Sequence, residues 1–189
     1  MMAETCGEPV HNRRLIHASG VIDAAGVSAA PAVLLIEDGR LRAVGTPSEI
    51  GEVPDAVVED HRGSLIMPGL VNVHAHLDLS GQGLWPPAGD DFRGWVGQVR
   101  QLRAESTPEG TKNAVCRGIQ LSLAGGTTCI GDIAGHPPAA SIEALRASPL
   151  RGTSFIECFG MGAGQPAAIE RMHQLLASWA AESHGIRVG

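Results

Sequence analysis

The stretch 65-LIMPGLVNVHAHLDLS-80 decides how the rest of the chain is read. An apolar run opened by Met67-Pro68-Gly69 carries two histidines, His74 and His76, one residue apart. Side chains alternate between the two faces of a strand. That alternation predicts Val71, Val73, Ala75 and Leu77 on one face and Asn72, His74, His76 and Asp78 on the other. If helices cover the apolar face, the polar face looks inward, with the histidines at the C-terminal end of the strand. Two imidazoles projecting the same way can reach one metal ion at about 2.0–2.1 Å. Histidines satisfied by backbone carbonyls are the competing explanation of the pair.

Downstream of this stretch the pattern is strand, loop, helix, repeated. The segment 91-DFRGWVGQVRQL-102 puts Phe92, Trp95, Val96, Val99 and Leu102 on one helical face, with Asp91 as N-cap. The next helix, within 107–126, has Thr107 as N-cap, Pro108 at its first position and Gly125-Gly126 as its stop. A strand 127-TTCIGDI-133, a short helix 141–148 and a strand 151-RGTSFIECFG-160 follow. A longer helix within 165–185 and the beginning of a strand, IRVG, complete the chain. Strands alternating with helices imply parallel βαβ units.

Upstream, RRLIHASGVID, PAVLLIEDGRLRAVG and DAVVEDHRGSLI are short strands separated by turns, and Asp38-Gly39 is a hairpin signal. The expected architecture is therefore α/β. Residues 1–64 read as the N-terminal part of a small β-sandwich. Residues 65–189 read as about strands 1–4 of a (β/α)8 TIM barrel. A complete barrel takes about 250 residues, and this segment offers about half of that, so the chain reads as the N-terminal part of something longer. Half a barrel would leave sheet edges and a core face uncovered.

Composition narrows the function. Hydrophobic residues are 43% and charged residues 18% of the 189, enough apolar content for a core. The net charge of −6 supplies no basic patch for nucleic acid. No segment approaches the ~20 apolar residues of a membrane helix. The four cysteines are scattered without a CxxC pair, which suits reduced thiols in a cytoplasmic protein.

MPGLVNVHAHLDLS resembles the first-strand signature of the metal-dependent amidohydrolase superfamily, in which an HxH pair holds the catalytic metal. IEDGRLRAVG is similar to the family's N-terminal sandwich, GGTTCIGDI to its second barrel strand and RGTSFIECFG to its third. Within the superfamily, HLDLSG, the DFRGWV helix and FIECFG resemble the branch of cytosine deaminases, chlorohydrolases and nucleoside-type deaminases. That branch includes aminodeoxyfutalosine deaminases, whose first strand tends to read HTHLELS; Asp78 stands where they carry Glu.

The resemblance implies hydrolytic deamination of an aminated heterocycle or nucleoside by a metal-activated water, with chloride or cyclic-amide hydrolysis as alternatives. It implies one divalent ion, Zn²⁺ or Fe²⁺, bound by His74 and His76 together with a further His and an Asp, and a Glu that moves the proton. Those further residues belong to strands five, six and eight of the family pattern, so the catalytic groups are expected beyond Gly189. A catalytically incomplete fragment is the alternative from a different class. The expected partner is a small-molecule substrate, and homodimerisation is common among the relatives. Trp85, Asp132, His136 and Glu157 are candidate substrate contacts, because each falls in a loop or strand end at the catalytic side of a barrel. For each of them a purely structural role competes.

Overall fold

A computed structural model describes residues 12–82, 91–135, 137–158, 162–179 and 185–189. The chain divides into two compact units, Met1–Pro68 and Gly69–Gly189.

The first unit is a five-stranded sheet. Its elements are β1 (Arg13–Asp23), β2 (Gly26–Ala29), β3 (Ala32–Glu37), β4 (Arg40–Gly45), a one-turn helix α1 (Pro47–Ile50) and β5 (Val57–Ile66). Strands run β2-β1-β3-β4, with β5 lying parallel to β1. The β3–β4 hairpin closes at Asp38-Gly39, where both residues have positive φ (51° and 72°), as a tight hairpin turn requires. Val21, Ala29, Ala32 and Leu34 form its buried cluster. Val57, Val58 and Leu65 of β5 remain 59–62% exposed, so this strand shows apolar side chains to solvent.

Leu65 and Ile66 belong to β5 rather than to the strand that carries the histidines. Pro68 explains the break: it has no N–H for a ladder, and its ring holds Met67 extended.

The second unit is a parallel four-stranded sheet in the order β6 (Leu70–Ala75), β7 (Thr127–Ala134), β8 (Arg151–Ile156), β9 (Ile186–Val188). Between them lie a 3-10 turn (Leu77–Gln82) and helices α2 (Phe92–Glu105), α3 (Pro108–Ala124), α4 (Ala139–Arg146) and α5 (Gln165–Ser178). The caps follow the sequence: Asp91 accepts from Gly94 N–H, and Thr107 accepts from Gly110 N–H with Pro108 at the first helical turn. Leu77, Val115, Ile119, Ile130, Ala144, Leu145, Leu150 and Ile186 make the core, on the face that the helices cover. Among the described residues no helix is long and apolar enough to cross a membrane.

Strict alternation along β6 does not hold. The β6–β7 register shifts between Asn72 and Ala75, so two residues on β6 oppose one on β7. Such a bulge reverses the parity of the residues after it. Ala75 and Leu77 pack on the helix-side core. Val71 and Val73 instead line a shallow cleft with Cys129, Gly131, Thr153 and Phe155, and they are 63% and 76% exposed. The expectation of one continuous apolar, helix-covered face is corrected on this point.

Candidate functional site

His74 is an exposed residue of β6, and His76 lies half-buried just past the strand's end. They alternate with Ala75 and Leu77, whose side chains belong to the helix-side core. The two rings stand edge to face with centroids 5.3 Å apart and planes at 73°. That separation suits imidazoles converging on one ion, since nitrogen–zinc bonds of about 2.0–2.1 Å put such rings roughly 5 Å apart. Among the described residues, no third His, Cys, Asp or Glu joins them in a metal-holding group. The pair therefore supplies two of the three or four protein ligands that zinc sites use.

Beside His76 lies an ionic cluster centred on Arg103 of α2. The guanidinium donates from Nε to Asp78 at 2.7 Å and from a terminal nitrogen to Glu157 at 2.8 Å. Its other terminal nitrogen lies 3.2 Å from His76 Nδ1. Side chains of Asp78, Arg103 and Glu157 are only 4%, 18% and 27% exposed, so these pairs are held largely away from solvent screening. Burial works against the Arg103 charge, but the hydrogen bonds and negative charges of Asp78 and Glu157 outweigh it and raise its pKa. Burial, and then the Arg103 charge, lower the pKa of His76, so its imidazole stays neutral further into acid. Neutral imidazole is the form that binds a metal.

Small residues make room for this arrangement. A side chain at Gly135 would collide with the Asp78 carboxylate, and one at Gly118 of α3 would strike Leu77 and Ser80 in the 3-10 turn. Next to the cluster is a cavity of about 340 Å³, lined by His76, Leu79, Trp95, Val96, Val99, Arg100, Arg103 and Glu157. Leu79, Trp95, Val96 and Val99 give it apolar walls, and Arg103 and Glu157 bring polar groups beside His76, a usual composition for a small-molecule site.

Of the sequence-derived candidates, His74, His76 and Glu157 come together here. Asp132 does not join them. It is fully buried and accepts the N–H of Leu77 at 3.0 Å. Burial, partly offset by that hydrogen bond, raises its pKa to about 6. Trp85 and His136 lie outside the described residues. Sequence reading missed Arg103, although a signal exists: it falls four and seven residues after Val99 and Val96, on the apolar stripe of α2.

No protein-family model matches the chain. Over 143 residues it is 29% identical to an aminodeoxyfutalosine deaminase of a Nitratiruptor species, covering 72% of this chain and 35% of that protein. Its fold matches an aminofutalosine deaminase of Helicobacter pylori crystallised with methylthio-coformycin (TM-score 0.72, 21% identity, 93% of this chain and 43% of that one). It also matches a zinc-complexed atrazine chlorohydrolase of Arthrobacter aurescens TC1 (TM-score 0.71, 20% identity, 93% and 45%). Guanine deaminase of E. coli gives a TM-score of 0.70 at 19% identity, over 94% and 45%. The chain has a mixed α/β fold that resembles part of these deaminase and hydrolase structures. It spans about a third of the curated relative and less than half of each of these structures.

Proposed function

We propose that this chain is the metal-holding first part of an amidohydrolase that deaminates an aminated heterocycle or nucleoside. The parallel sheet β6–β9 would then be the first four strands of a (β/α)8 barrel, and residues 1–64 part of a β-sandwich before it. The observation that carries the reading is the His74–His76 pair. It sits at the C-terminal end of the first strand of the parallel sheet, where barrel enzymes keep their chemistry, and His76 lines an apolar-walled cavity. The 29% identity to an aminodeoxyfutalosine deaminase supports deamination, while the structural neighbours include deaminases and a chlorohydrolase alike.

His74 and His76 would hold one divalent ion, zinc or iron, with the remaining ligands supplied from outside this stretch. Such an ion lowers the pKa of a bound water to about 7 and so provides a nucleophile at neutral pH. The protein's own contribution is separate. Arg103 keeps the Asp78 and Glu157 carboxylates paired. Leu79, Val96 and Val99 give the cavity beside His76 apolar walls. Glu157, at the cavity's polar end, is placed to accept a hydrogen bond from a substrate amino group. The substrate is taken to be a small planar molecule that fits this cavity.

Two measurements test the reading. Calorimetric titration of the complete polypeptide with zinc should show one site that His74→Ala or His76→Ala abolishes. Ammonia release should then be followed from metal-loaded complete polypeptide supplied with adenine- and guanine-type nucleosides and with aminodeoxyfutalosine. Zinc binding unaffected by either substitution would sink the assignment of the pair. Chloride release from a chlorotriazine without any ammonia release would move the activity to the halide-hydrolysing alternative.

A further inference from the structure

Asp132 is too deep to meet anything in the cavity, and yet it is a carboxylate in the core. It ends β7 with no exposed surface, and among the described residues only one of its oxygens has a protein partner. That oxygen, Oδ1, accepts the N–H of Leu77, the residue immediately after His76. The ladder pairs Asp132 with Ala75 on one side and Ser154 on the other. Paired residues of a parallel sheet share a face, so Asp132 and Ser154 lie together beneath the helices. Ser154 Oγ is also buried and has no hydrogen-bond partner among the described residues.

A buried carboxylate is expensive unless it is hydrogen-bonded or paired, and Asp132 makes one such bond. The group that depends on Asp132 is the peptide after His76. β6 ends at Ala75 and its register has already slipped, so the sheet ladder no longer holds the backbone at residues 76 and 77. The Asp132 side chain supplies the missing acceptor at that point. Arg103 meets the imidazole from the cavity side, whereas Asp132 grips the backbone from the helix side.

We propose that Asp132 is a positioning residue for His76: by fixing the Leu77 peptide from behind the strand, it aims the imidazole at the ion shared with His74. The inference rests on the metal-binding reading of the pair. It concerns hydrogen-bond geometry rather than negative charge. An amide at this position keeps an acceptor for Leu77 N–H and gains a donor for Ser154 Oγ; a methyl group keeps neither.

The test uses the complete polypeptide that carries this chain, with cobalt(II) as the added ion, comparing wild type, Asp132→Asn and Asp132→Ala, each checked for folding by circular dichroism. Asp132→Asn should bind cobalt within about threefold of wild type with an unchanged visible spectrum. Asp132→Ala should bind 10–100-fold more weakly, the usual loss when a group supporting a ligand is removed, with a changed spectrum. A folded Asp132→Ala chain with wild-type cobalt affinity and spectrum overturns the proposal. A tenfold loss in Asp132→Asn overturns it too, because charge would then be what matters.

A metal-free readout separates this idea from the reading beneath it. Hydrogen exchange should show the Leu77 amide protected in wild type and in Asp132→Asn. Rapid exchange of that amide in wild type overturns the positioning role, whether or not Asp132→Ala folds. Absence of cobalt binding alongside a protected Leu77 amide would instead overturn the metal-binding reading.

Discussion

Strands β6 and β7 are neighbours in one parallel sheet and live in different environments. On β7, Ile130, Gly131, Asp132 and Ala134 are buried under the helices and between strands. On β6 every residue from Leu70 to His74 is exposed, and only Ala75 is partly covered. The interior strand supplies the core; the edge strand supplies the histidines. Within the described sheet the histidines therefore stand on the less covered of two adjacent strands. Their support arrives from outside the strand, through Asp132 on one side and Arg103 on the other.

The contrast can be broken most severely at its interior. Ile130→Ala removes most of a fully buried side chain from the cluster around Leu145 and Leu150, and it should cost about 3 kcal/mol in urea unfolding. Asp132 gives a pH-dependent version of the same comparison. Its pKa rises from 3.8 to about 6 on folding, so the folded state holds a proton more tightly than the unfolded one. Stability is then fully present below pH 4 and is lost as pH rises through 6, on the order of 3 kcal/mol in all. Asp132→Asn should flatten that slope, as seen in melting temperatures between pH 4 and 7. A slope of the same size in the variant would assign it to another group.

Removing the front support is expected to do somewhat less. Arg103→Met leaves Asp78 and Glu157 partly buried without their cation, a loss of about 2 kcal/mol. Arg103→Lys should recover part of it, because an ammonium lacks the fork that spans two carboxylates. Smallest of all, Val73→Ala on the open strand should change stability by about 0.5 kcal/mol or less, since its side chain is 76% exposed. A loss at Val73 comparable to that at Ile130 would show that β6 is covered in solution and would erase the contrast.

Much of this organisation was legible in the residues. Helices α2 and α3 begin where Asp91 and Thr107 announce them, and Gly125 caps α3. The Asp38-Gly39 hairpin follows from its turn chemistry alone. What the sequence concealed was of two kinds. A register shift between Asn72 and Ala75 has no local signature, because it depends on how β6 meets a strand more than fifty residues away. The Arg103 cluster is also non-local: its carboxylates come from positions 25 and 54 residues distant, and no spacing rule links them. Asp132 had the opposite problem. Its place at a strand end was readable, but whether the side chain turned to the cavity or to the core was decided by packing.

Gly118 carries a consequence for how mutational tolerance is distributed along the chain. A single carbon added there would press on Leu77 and Ser80. That turn begins at the residue after His76, so α3 packs closely against the segment that follows the imidazole. A saturation survey of viable variants would accordingly record Gly118 among the least replaceable positions, because a side chain there has no space.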